Sequence, residues 1–234
     1  MTSRSYGVSA IVLAAGRGSR VGADRNKAYL MLAGKPLVAH ALDTLAASSF
    51  VTEILLVIAP GEDTWAAESV VDVEAPVRFV EGGVRRRDSA LAGVLASTKP
   101  IVLIHDAARP FLSEPLIAAV VEGVRGHGAC VPAVPVVDTL RYGTPDGLLG
   151  RNAISRGGLL RMQTPQGFDR RLILDSLTQC DRDVCDDAEA VLSHSEDVWT
   201  TPGDPTNIKI TTLTDLRLAE GLAAALRRRD LQGD

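Results

Sequence analysis

Short, uninterrupted apolar runs separated by helical repeats set the rhythm of the chain. Ile11-Val12-Leu13, Ile54-Leu55-Leu56-Val57-Ile58-Ala59, Ile101-Val102-Leu103-Ile104 and the stretch from Ala129 to Val134 each end in Gly, Pro or small residues. Runs of that length predict parallel strands covered on both faces. Val77-Arg78-Phe79-Val80 adds a shorter strand ending at Gly82-Gly83. Between them lie helical patterns: one opened by Lys35-Pro36 and carried by Leu37, Ala41, Leu42 and Leu45, one from Asp88 to Ser97, and one from Glu114 to Val124. The alternation predicts an α/β fold, a doubly wound, mainly parallel, Rossmann-like sheet, whose ligands bind at the carboxyl ends of the strands. The segment after Leu13, Gly82-Gly83, His105 to Pro110 and the Pro135-to-Thr139 turn all fall on that edge.

The rhythm breaks between Arg141 and Gln166. Gly143-Thr144-Pro145-Asp146-Gly147 is a strong turn between stretches of mixed polarity that suit no core strand, so residues 139–163 read as a projecting β-arm that packs on a partner. Helices return from Arg170 to Gln179 and from Asp186 to His194, with a short strand near Val198. Thr212-Leu213-Thr214-Asp215 starts a last helix carried by Leu216, Leu218, Leu222 and Leu226. With 234 residues and no internal repeat or low-complexity linker, one domain spanning 1–234 is expected.

Charge narrows the partners. Twenty-five basic against 29 acidic residues give a net charge of −4, which offers no general field for nucleic acid or an anionic membrane. Cys130, Cys180 and Cys185 are scattered without metal-like spacing, which points to reduced thiols in the cytoplasm. No apolar run approaches the roughly 20 residues that cross a bilayer.

Candidate chemistry starts at Ala14-Ala15-Gly16-Arg17-Gly18-Ser19-Arg20, with Lys27 seven residues on. Glycine lets main-chain N–H groups approach phosphate oxygens, Ala14 and Ala15 leave room for a base or sugar, and Arg20 and Lys27 bring charge. The spacing matches neither the Walker pattern nor G-x-G-x-x-G, so a plain glycine-rich connection is the alternative. Asp106 and Arg109 follow a buried strand, where a carboxylate can hold Mg²⁺ against phosphates and a guanidinium can fork onto a phosphate or polyol; a bracing ion pair is the alternative. His105 reads as a hydrogen-bonding residue rather than a catalyst. Arg85-Arg86-Arg87-Asp88-Ser89 opens a helix whose N-terminus suits an anion or a base edge, with Ser89 as a pairing group and a solvated charge run as the alternative. Asn207-Ile208-Lys209-Ile210-Thr211 alternates like a short strand with Asn207, Lys209 and Thr211 on one face. Four cations without a triad, an activated cysteine or a metal cluster suit in-line phosphoryl or nucleotidyl transfer.

Those segments carry a resemblance. With Gly82-Gly83, Arg86, Asp88-Ser89, His105-Asp106-Ala107-Ala108-Arg109-Pro110, Asp138-Thr139, Thr164-Pro165-Gln166, Asp186-Asp187-Ala188 and Asn207 to Thr211, the chain resembles the 2-C-methyl-D-erythritol 4-phosphate cytidylyltransferases of non-mevalonate isoprenoid synthesis over nearly its whole length. The resemblance implies a Mg²⁺-dependent enzyme that joins CMP from CTP to a polyol phosphate and releases pyrophosphate. By position, Ala14, Ala15, Gly16, Gly83 and Ser89 would surround the cytidine, and Arg20, Lys27 and Lys209 would hold the triphosphate and the transition state. Asp106, Arg109, Thr139 and Thr211 would meet the polyol phosphate, with Cys185 at a further substrate position. Arg156 would reach a neighbouring subunit's site, making a homodimer through the arm. Leu13, Asn26 and Cys185 depart from the family pattern, where proline, proline and threonine are usual. Asn26 removes a stiffener beside Lys27, and Cys185 trades a hydroxyl for a weak thiol. A cytidylyltransferase for another polyol phosphate, such as ribitol 5-phosphate, and a non-catalytic nucleotide-binding paralogue are the alternatives.

Overall fold

The structure, a computed structural model, describes residues 7–16 and 26–232. The chain opens with β1 (Val8–Leu13), then a 3₁₀ turn (Lys27–Tyr29) and the short hairpin β2 (Met31–Leu32) and β3 (Lys35–Pro36). It continues with α1 (Leu37–Ala47), β4 (Val51–Ile58), α2 (Asp63–Ser69), β5 (Val77–Glu81), α3 (Arg86–Ala96) and β6 (Ile101–Asp106). α4 (Glu114–His127) and β7 (Ala129–Pro135) lead to the hairpin β8 (Leu140–Gly143) and β9 (Leu149–Ile154). β10 (Leu160–Met162), β11 (Gln166–Asp169), α5 (Arg170–Gln179), α6 (Asp187–Leu192), β12 (Trp199–Pro202) and α7 (Leu213–Gln232) complete the chain.

The main sheet runs β10-β7-β11-β6-β1-β4-β5, with β12 also against β7. β1 pairs in parallel with β4 and β6, and β4 with β5, whereas β11 lies antiparallel between β6 and β7. Strand periodicity sorts the core into two layers. Val8, Ala10 and Val12 join α1 residues Val38 and Leu42 and α4 residues Ile117 and Val121 on one face. Ile11 joins Val94 of α3 and Ile173 and Leu177 of α5 on the other. Helices on both faces make the sheet doubly wound.

Several expected elements are shifted. Lys35-Pro36 pairs with β2 instead of opening the helix, which starts at Leu37 with Pro36 as its N-cap. The β8–β9 hairpin forms its own two-stranded sheet, as the turn chemistry predicts, but Leu160–Met162, expected in the arm, pairs with β7 in the main sheet. β11 carries one large apolar residue, Phe168, and so gives no apolar run; α4 lies so close above it that a Cβ on Gly167 would stand 2.5 Å from Val120 Cγ1. Residues 207–211 form no strand: Arg109 and Ala108 take the bonding groups of Asn207 and Ile210. In α7, Leu216, Leu222 and Leu226 pack as expected, with Ala219 and Ala223 buried among them against Leu32, Leu37 and Ile210, whereas Leu218 is 64% exposed.

Candidate active site

A cleft of about 760 Å³ opens at the carboxyl ends of β1, β5 and β6. Its floor is held by main chain: Ala14 N–H donates to the Val57 carbonyl (2.8 Å), and Ala107 N–H to that of Leu13 (3.1 Å). Ala14, Ala15 and Gly16 form one wall. Gly82 has no room for a side chain, since a Cβ there would stand 2.6 Å from that of Ala15, so the two loops touch. The buried Ser89 hydroxyl accepts from Gly83 N–H (3.2 Å) and lies 3.3 Å from the Gly83 and Arg85 carbonyls, fixing the Gly83 loop over the start of α3. Lys27, on its 3₁₀ turn, and Lys209 also line the cleft.

An ion chain crosses the cleft's deep end. Lys209 Nζ donates to Asp106 Oδ2 (2.7 Å), Arg86 reaches Asp106 Oδ1 (3.4 Å), and Arg86 also donates to Asp187 Oδ2 (2.8 Å). Burial alone would raise the Asp106 carboxyl, but Arg86 and Lys209 hold it well below the usual carboxylate range. Asp187 is 0% exposed, and burial pushes its carboxyl up against the pull of Arg86. Gln166 of β11 fixes it from behind: its Oε1 accepts from the N–H groups of Asp187 (3.1 Å) and Ala188 (3.0 Å) at the start of α6.

His105 behaves as its sequence position suggests. Its Nε2 meets the Arg109 carbonyl (3.0 Å) and so carries the proton; Nδ1 accepts from the Thr164 hydroxyl, whose oxygen accepts from Asp106 N–H (3.1 Å). Burial pulls the ring from 6.5 down to about 4. The folded chain thus takes up that proton later than the unfolded one, and stability falls as pH drops from 6.5 to 4, by about 3 kcal/mol from this residue. Urea unfolding at pH 7, 5.5 and 4.5 is expected to show this slope flattened in His105→Gln. Equal slopes in the two proteins would mean that His105 is not held neutral.

The remaining predicted residues are placed less centrally. The Arg109 guanidinium donates to the carbonyls of Asn207 (2.8 Å) and Met162 (3.3 Å), so it holds the segment carrying Lys209 rather than pairing with Asp106. Thr211 lies just before α7, its hydroxyl donating to Asp215 Oδ2 (2.7 Å), while the Thr212 hydroxyl accepts from Asp215 N–H (3.1 Å). Thr139 and Arg156 are exposed at the root of the β8–β9 hairpin, where Arg156 bonds the Val137 carbonyl, and neither lines the cleft; nor does the Pro135-to-Thr139 turn. Cys185 is exposed, with its N–H donating to Glu189 (2.7 Å), and stands off the cleft lining. Arg20 lies outside the described residues. Among the described residues no three His, Cys, Asp or Glu side chains gather as a cation site. Three carboxylates of the described residues line the cleft, Asp106 held by Lys209 and Arg86, Glu62 held by Asn26, and Glu81, so a Mg²⁺ ion here would take Asp106 together with phosphate and water oxygens, a donor set that suits an ion carried in on a nucleotide.

The sequence pattern gives Arg86 and Asp187 no role at the site, although both stand in segments that carry the resemblance. Arg86 sits in a run of three arginines, of which only the helix register tells which reaches Asp106 and Asp187, and Asp187 is the second of an Asp pair whose first member, Asp186, caps α6. Asn26, noted only as a departure, is buried beside Lys27.

Known proteins share this sheet and much of this sequence. A sequence model of the family described as IspD, 2-C-methyl-D-erythritol 4-phosphate cytidylyltransferase, matches residues 8–225. A relative named 2-C-methyl-D-erythritol 4-phosphate cytidylyltransferase, from Pelotomaculum thermopropionicum, is 40% identical over 230 residues, covering 95% of this chain and 96% of its own length. Among solved structures, 4-diphosphocytidyl-2C-methyl-D-erythritol synthase from Anaerococcus prevotii superposes with a TM-score of 0.82 at 28% identity, covering 94% of this chain and 97% of that one. The 2-C-methyl-D-erythritol 4-phosphate cytidylyltransferase of Thermus thermophilus does so with a TM-score of 0.78 at 33% identity, covering 93% and 99%. A match over this much of the length, joined to the shared sheet, places the chain in the 2-C-methyl-D-erythritol 4-phosphate cytidylyltransferase family.

Proposed function

We propose that this chain transfers the cytidylyl group of CTP to 2-C-methyl-D-erythritol 4-phosphate, releasing pyrophosphate and forming 4-diphosphocytidyl-2-C-methyl-D-erythritol. A phosphate oxygen of the polyol phosphate forms a bond to the α-phosphorus as the bond to the pyrophosphate oxygen breaks. The observation that carries this reading is the convergence of Lys27, Lys209 and the Asp106–Arg86 pair on one cleft walled by Ala14, Gly16, Gly83 and Ser89. The small-residue wall takes the cytidine. Lys27, Lys209 and Arg20 balance the charge that builds on the phosphates in transfer, and Asp106 holds Lys209 in place. Arg109 and Thr211 fix the two ends of the segment from Asn207 to Thr211 and so hold Lys209 at the cleft. Thr139, Arg156 and Cys185 reach substrate only across a second copy or after movement.

Mg²⁺ bound on the triphosphate would neutralise charge there, with Asp106 of the cleft lining as its carboxylate ligand. Chelation is expected to stop pyrophosphate release and added Mg²⁺ to restore it; a rate untouched by chelator would remove the metal from this reading. The β8–β9 hairpin, with Tyr142 77% and Leu148 69% exposed, supports a homodimer in which it packs on the second copy. Three free thiols fit a reducing, cytoplasmic setting. The deciding assay is pyrophosphate release with CTP against the other triphosphates, and with methylerythritol phosphate against ribitol 5-phosphate. Release with ribitol 5-phosphate alone would keep the chemistry and move the substrate.

A further inference from the structure

We propose that Asn26 is a positioning residue that sets Lys27 against the nucleotide, an inference that rests on the cation role just given to Lys27. Asn26 is 7% exposed, and each polar atom of its side chain is engaged. Its Oδ1 accepts from Ala28 N–H (3.1 Å), closing the 3₁₀ turn that carries Lys27. Its Nδ2 donates to the Ala14 carbonyl and to the Glu62 carboxylate (3.0 and 3.2 Å). Ala14 is itself bonded to β4 through Val57, and Glu62 is the N-cap residue of α2, its N–H donating to the Ala59 carbonyl (3.2 Å).

One amide therefore ties three separate pieces together: the wall that takes the base, the turn with Lys27 and the β4–α2 loop. The turn is anchored at its far end as well, where Tyr29 packs on Trp65 of α2 with ring centroids 6.0 Å apart. Lys27 stands between two fixed points, and a shift of about 1 Å in a group that meets phosphate can lower a rate about 100-fold. The backbone at Asn26 has φ −59°, the angle a proline ring imposes. A side-chain bracket thus does here, through hydrogen bonds, what a ring would do through covalent geometry.

The test is a double-mutant cycle of Asn26→Ala and Lys27→Ala, read as single-turnover pyrophosphate release with enzyme in excess and with thermal midpoints recorded alongside. Asn26→Asp serves as the second variant, since it keeps the acceptor for Ala28 but loses both Nδ2 donors. Alone, Asn26→Ala and Asn26→Asp are each expected to slow release ~10- to 100-fold in folded protein. In the Lys27→Ala background the same changes are expected to slow it less than about twofold, because their effect passes through Lys27. Equal losses in both backgrounds, or a single-variant rate within about twofold of the unaltered chain, would overturn the proposal while leaving Lys27 in its role. A Lys27→Ala rate equal to that of the unaltered chain would instead overturn the cation reading, and this proposal with it.

Discussion

Lys209→Ala is expected to lower kcat about 100- to 1,000-fold with little loss of fold, the largest activity effect of any change to a described residue. The lysine side chain is 39% exposed and, among the described residues, its ammonium bonds to Asp106, so the sheet does not depend on it. Its ammonium stands at the cleft, however, and Asp106 holds it there at 2.7 Å. Loss of that charge removes stabilisation that grows as the phosphorus is attacked, so kcat falls more than the Michaelis constant for CTP rises. Lys209→Arg keeps the charge but not the single-point geometry, and is expected to recover only part of the rate. A full rate in Lys209→Ala would remove this lysine from the transfer step.

Arg86→Met is expected to have the largest effect on stability. It leaves Asp187 buried with no cation and Asp106 with Lys209 alone, and breaking a buried pair from one side destabilises by about 3–5 kcal/mol. Burial already pushes the Asp187 carboxyl up, and without Arg86 it rises further. A carboxyl raised in the folded state keeps its contribution at low pH and loses it as pH rises. Chemical denaturation should therefore show Arg86→Met losing more at pH 8 than at pH 5. The double variant Arg86→Met with Asp187→Leu removes both charges and is expected to regain most of the stability, but not the activity, because Asp106 still lacks its second partner. A double variant no more stable than Arg86→Met would mean that the pair is not the source of the loss.

The hydrophobic pattern shows most clearly where a strand is covered on both faces. β1, β4 and β6 appear as plain apolar runs because helices lie above and below them. β11 stays hidden for the opposite reason: it is set by what neighbours need of it, with Gly167 clearing space for α4 and Gln166 turned to the start of α6. The Asn207–Thr211 segment imitates a strand by its polar–apolar alternation, but the residues it buries, Asn207 and Ile210, stand three apart, and Lys209 lies exposed at the cleft instead of sharing a face with Asn207. Site residues whose backbone approaches the cleft, such as Ala14 and Gly83, show themselves by small size. Arg86, Asp187 and Asn26 do not, because their work depends on partners as far as 36 to 101 residues away.

The hairpin's root has a consequence for how such chains change. Pro135 at the end of β7 faces Leu160 at the start of β10, so the polypeptide leaves the sheet and rejoins it at paired positions. Everything between could be shortened, extended or exchanged without altering a single rung of the central sheet. The body and its projecting limb are thus free to diverge at different rates, with new assemblies open to trial on a scaffold whose folding is already settled.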